Sequence, residues 1–134
     1  MTRPRTALAV IAACSALAVP SAMAAANGTY RGKIKAGNTG VSLKVKKNRV
    51  TSVTATIYGS CGLLTLQSVS YPPAGQKGNS ARIKDGKFRV VFKGSPDVAD
   101  SKRTIKGTFS RGKVRGTIKV EGRCSAERKY SAKL

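Results

Sequence analysis

Histidine and tryptophan are absent from this 134-residue chain, and five acidic residues face 26 lysines and arginines. Without histidine there is no Ser-His-Asp or Cys-His catalytic set, no HExxH zinc site and no ordinary pH switch. Carboxylates are too few for much acid/base work. Asp85 sits in a turn sequence, Glu121 has outward strand parity, and Asp97 and Asp100 form the one acidic cluster. That pair could ligate calcium or act as an acid/base couple. The D-x-[DN]-x-[DN]-G loop is missing, however, and calcium takes six or more oxygens. Turn capping and local neutralisation of Lys93, Lys102 and Arg103 is the simpler role. Serines and threonines are common, but none belongs to a G-x-S-x-G or S-x-x-K motif. Nor does a glycine-rich loop open a helix to hold phosphate. The expectation is a non-enzymatic protein with no cofactor, no metal and no catalytic residues.

Long apolar runs are scarce as well. The longest, Ala7 to Val19, is shorter than the ~20 residues that span a bilayer. With Arg3 and Arg5 before it and Ala22-Met23-Ala24 after it, residues 1–26 read as a signal peptide. The mature form then has no transmembrane span and is secreted or associated with the cell envelope. Ile11-Ala12-Ala13-Cys14 also fits a lipoprotein box, which would lipidate Cys14. An uncleaved anchor is the remaining variant. The leader holds two cations and no acid, so residues 27–134 carry a net +19. A chain of that length forms one domain and buries roughly 65% of its unfolded surface.

Three cysteines are present, and cleavage leaves Cys61 and Cys124 in an oxidising compartment, where one disulfide is expected. Its long loop would contribute roughly 4 kcal/mol on the chain-entropy view. A reactive thiol pair is less apt, because there is no Cys-x-x-Cys.

What the sequence has in abundance is alternation. Val41, Leu43 and Val45 alternate with Ser42, Lys44 and Lys46, and Phe88, Val90 and Phe92 alternate with Lys87, Arg89, Val91 and Lys93. Residues 113–121 repeat the pattern, and no segment carries a 3.6-residue period. Strands are expected at 28–35, 41–46, 49–58, 63–70, 80–84, 87–93, 103–110, 113–121 and 124–133. Lys47-Asn48, Asp85-Gly86 and Arg111-Gly112 suit two-residue hairpins that need positive φ. Consecutive strands should pair as an antiparallel all-β meander that closes into a small barrel or sandwich, preceded by an N-terminal signal helix. Gly32, Gly107 and Gly116 fall on the inward parity, where they permit sharp coiling. Segments 71–78 and 94–101 are the long loops.

Outward parity gathers Lys44, Lys46, Lys87, Arg89, Lys93, Lys106, Lys113, Arg115 and Lys119 into a candidate anion-binding face. A charged outer face also prevents edge association. Yet a net charge of magnitude ~2–8 suffices for that in a small domain, and a larger one costs stability by self-repulsion. The excess points to an anionic polymer or cell surface: a wall phosphate polymer, acidic polysaccharide, lipid head groups or released DNA. Nucleic acid is the minor case. Single-strand binders interleave exposed aromatics with cations, whereas Phe88, Phe92 and Phe109 have inward parity and only Tyr58 and Tyr71 remain as exposed candidates. Two alternatives stay open. One is a small barrel carrying an apolar ligand; the other is an envelope or inhibitory module that binds protein through loops 71–78 and 94–101.

Several segments taken together resemble small exported β-proteins of high-GC bacteria, mostly of unknown function. They are Gly28-Thr29-Tyr30-Arg31-Gly32, Val41-Ser42-Leu43-Lys44-Val45, Cys61, Asp85-Gly86-Lys87-Phe88, Gly107-Thr108-Phe109 through Gly116-Thr117-Ile118, Cys124 and Tyr130-Ser131-Ala132-Lys133. In that group Trp often stands where this chain has Tyr30 and Tyr130. The resemblance implies a closed or nearly closed β-meander with a disulfide, and it implies no activity. The Gly-x-aromatic opening is similar to that of lipocalin-like barrels, which would imply a ligand cavity.

Overall fold

The computed structural model describes residues 25–60, 64–73, 80–93, 102–122 and 125–134. Residues 1–24 of the expected signal peptide (Cys14 among them), both Cys61 and Cys124, and segments 74–79 and 94–101 lie outside the described residues. Among the described residues there is no helix, and every strand pairing is antiparallel.

Among the described residues nine strands form one sheet: β1 (Gly28–Ile34), β2 (Gly40–Lys46), β3 (Arg49–Ser60), β4 (Leu64–Tyr71), β5 (Ala81–Arg82), β6 (Lys87–Lys93), β7 (Lys102–Ser110), β8 (Lys113–Glu121) and β9 (Ala126–Lys133). The order β4-β3-β2-β1-β9-β8-β7-β6 curls into a half-barrel. The meander is therefore two four-strand runs, joined where the first strand pairs the last, Gly32 opposite Ala132. The step from β4 to β5 breaks the expected succession, because β5 pairs β3 rather than β4. The reason lies in lengths. β3 outruns β4, whose ladder stops at Val53 opposite Tyr71, and this leaves Arg49 and Val50 for Arg82 and Ala81. Pro72 and Pro73, directly after Tyr71, cannot donate to a ladder, and the β4 pairing ends there.

Two-residue turns set the register. Lys47 and Asn48 have φ of 51° and 57°, Asp85 and Gly86 of 52° and 73°, and Arg111 and Gly112 of 48° and 73°. Positive φ at both central residues matches the right-handed twist of the flanking strands. These three turns lie at one end of the half-barrel, the hairpin end. There Asn48 is tied to β5: its carbonyl accepts from the Ile83 amide and its Nδ2 donates to the Ile83 carbonyl. β5 thus reaches β3 on one side and turns into β6 on the other through the Lys84–Lys87 bridge.

Coiling is tightest at glycine. A Cβ on Gly116 would collide with the Lys106 carbonyl oxygen, and one on Gly32 with that of Ser131. One on Gly107, which pairs Gly116 across β7 and β8, would meet Phe88 and the Tyr130 hydroxyl. The space inside the curl is filled by Tyr30, Ile34, Leu43, Val50, Val53, Ile57, Val69, Ile105, Val114 and Ile118, all nearly inaccessible to solvent. At the hairpin end Phe109 packs edge-on against Tyr30, ring centres 5.2 Å apart, and tilted against Phe88 at 5.7 Å. Ala25 belongs to this core, and the Ala26 carbonyl accepts from the Tyr30 hydroxyl.

Candidate functional site

All nine cations assigned to the candidate face are solvent-exposed, but they fall in four places. Lys87, Arg89, Lys106 and Arg115 converge on an open groove of about 730 Å³ across the outside of β6, β7 and β8. Lys113 lines a smaller groove of about 350 Å³ that shares Thr108 and Arg115 with the first. Lys93 and Lys119 lie at the far end of the sheet, where Lys119 Nζ is 3.2 Å from Glu121 Oε1. Lys44 and Lys46 stand apart on β2, on the other side of β1 and β9.

The larger groove also takes Arg82 and Lys84 from β5 and its turn, and the smaller one takes Arg111 from the β7–β8 turn. Arg82 and Lys84 alternate with the buried Ala81 and Ile83 in the stretch expected as strand 80–84, but are not among the nine cations assigned to the face. Arg111 is a turn residue, which alternation does not place. Asp85 is the single acid on either wall. The floor is Gly107, Thr108, Gly116 and Thr117, joined by Phe88, a residue that is 4% exposed.

Four further exposed cations, Arg31 and Lys33 on β1 and Lys129 and Lys133 on β9, continue the basic surface away from the groove. They carry the same alternation as the assigned residues. What was missing was the β1–β9 pairing that seats them between β8 and β2.

The register sets like charges directly opposite one another. Lys46 faces Arg49, Arg49 faces Arg82, Arg89 faces Lys106, Lys93 faces Lys102, and Lys133 faces both Lys113 and Arg31. Directly opposed like charges destabilise a sheet, at ~0.8 kcal/mol per pair for unit charges ~5 Å apart in water. Opposite charges meet at Lys102–Glu121 and Lys119–Glu127. The ion pairs among the described residues are both made by Glu121, at the end away from the grooves.

Two arginines point inward. Arg103 donates from Nη1 to the Ser68 carbonyl at 3.2 Å, and Arg128 from Nη2 to the Tyr58 carbonyl at 3.1 Å, while the Nε of each is buried without a partner. Burial holds the Arg103 guanidinium below the ordinary arginine range. Of the rings considered for stacking, Tyr71 packs against Phe92 at 5.3 Å and Tyr58 covers Gly37; both are half-buried and neither lines a groove.

Among the described residues no group of three or more His, Cys, Asp or Glu could hold a metal ion, and no helix is long and apolar enough to cross a membrane. Comparison with family models, with curated proteins and with solved structures gives no match.

Proposed function

We propose that this is a secreted or envelope-associated, non-enzymatic binding protein whose cationic outer sheet face engages an anionic polymer or surface. The observation that carries the reading is the set of directly opposed cations on the outer face, of which Arg89 and Lys106 lie together in the larger groove. Charge placed only for solubility would be interspersed with acids, as it is around Glu121 and Glu127. Opposed cations instead cost stability in the free protein and recover it when an anion lies between them. The side chains that fill the interior further support the outer surface as the binding element, in preference to an apolar ligand held inside.

The test is capture of the protein on heparin or teichoic-acid resin, followed by stepwise salt. Binding through several cations predicts retention well above physiological ionic strength and a steep loss beyond it. Elution at or below about 0.15 M salt overturns the reading.

A further inference from the structure

The groove over β6, β7 and β8 limits what kind of anion it can take, an inference that rests on the polyanion reading above. Its walls are Arg82, Lys84, Lys87, Arg89, Lys106 and Arg115, and Asp85 is the one acid among them. Same-face neighbours along a strand, such as Lys87 and Arg89, are ~6.6–6.8 Å apart, and cross-strand neighbours such as Arg89 and Lys106 ~5 Å. Successive phosphates on an extended phosphodiester chain are separated by a similar distance. Arginine forks suit phosphate oxygens in pairs, and lysines add point charge.

The floor decides against ring-bearing polymers. Bases stack on exposed aromatic faces, and sugar rings commonly do the same. Here the floor is Gly107, which is buried, and the half-buried Gly116, with Thr108 and Thr117 beside them and no aromatic face among them. Phe88 is buried in the core against Phe109 and presents no open ring face. A lipid surface is also a poor match. The site is concave, and Val91 and Leu134 are the exposed large hydrophobic residues among those described, so an apolar wedge is lacking.

We infer that this groove seats a single extended polyol-phosphate chain, gripped through its phosphates. The floor is packed from behind. Phe88, Phe109 and Tyr130 back it from inside, and the Tyr130 hydroxyl donates to the carbonyl of groove residue Lys106 at 2.8 Å.

The experiment measures affinity of the exported protein for soluble poly(glycerol phosphate) across a salt series, with two variants of equal charge loss. One carries Lys87→Gln, Arg89→Gln, Lys106→Gln and Arg115→Gln; the other carries Lys33→Gln, Lys44→Gln, Lys46→Gln and Lys129→Gln. All eight side chains are exposed, so thermal melts should show both variants folded. The groove variant is expected to lose at least ~tenfold in affinity, with a salt slope shallower by ~0.7 per lost contact. The control is expected to lose less than ~threefold. Equal losses would overturn the groove while leaving the general polyanion reading standing. Absence of wild-type binding to this polymer and to heparin at about 0.15 M salt would end both. A single-stranded oligodeoxynucleotide, heparin and phosphatidylglycerol vesicles complete the set. Tighter groove-dependent binding of any of them than of poly(glycerol phosphate) would overturn the choice of polyol phosphate.

Discussion

Gly116 sits where β8 crosses closest to β7, and a methyl group there would collide with the Lys106 carbonyl. Backbone cannot swing aside as a flexible side chain does, so Gly116→Ala is expected to destabilise by about 2–3 kcal/mol, on the order of 10–15 °C in Tm. Gly40 has no heavy atom within 4 Å of the same construction, and Gly40→Ala should leave the melt unchanged or slightly raised. Equal effects at the two positions would refute the coiling argument. Tyr130 gives a second residue-level expectation. Burial pushes its phenol well above the ordinary tyrosine value, and its hydroxyl donates to the Lys106 carbonyl. The folded state therefore holds the proton more tightly than the unfolded chain. The stability this provides is complete below about pH 10 and is lost as pH rises above it. Denaturant melts should show Tyr130→Phe weaker by ~1 kcal/mol near neutrality, with the gap narrowing from pH 10 upward. A gap that stays constant with pH would contradict this.

Strands and hairpins were largely legible in the sequence, because alternation and turn chemistry point the same way. Asp85-Gly86 and Arg111-Gly112 put a glycine at the second positive-φ position, and Lys47-Asn48 an asparagine. The strand-borne members of the groove, Lys87, Arg89, Lys106 and Arg115, were legible for the same reason. Arg82 and Lys84 had the same outward parity in the expected strand 80–84 but were not assigned to the face, and Arg111 was not legible because a turn residue carries no period. The pairing of β1 with β9 was equally hidden, because contacts between chain ends leave no local pattern. The Cys61–Cys124 disulfide is proposed from the sequence, as the pairing expected of two cysteines in an oxidising compartment. Cys61→Ser and Cys124→Ser should each cost up to roughly 4 kcal/mol, and the double variant no more than either single one. Two alkylatable thiols in the native exported protein would rule the bond out.

At the scale of the whole molecule, the net charge of +21 is distributed unevenly. Acids on strands gather at Glu121 and Glu127, where lysines oppose them, while the hairpin end carries the grooves and Asp85 alone. Among the described residues, then, the end bearing Glu121 and Glu127 has acids opposite some of its lysines, whereas Asp85 is the one acid beside the grooves. A chain without histidine has no side chain of the kind that ordinarily changes charge between pH 5 and 8, so binding at the grooves should be nearly flat over that range. Salt, in contrast, should govern it. The most direct test of this charge-based account is the affinity of the wild-type protein for a soluble polyanion as a function of salt concentration at fixed pH. The account predicts a linear fall of log K with log salt, with a slope of about −3 or steeper, the value for four or more phosphate contacts on a single chain. A slope near zero would contradict it.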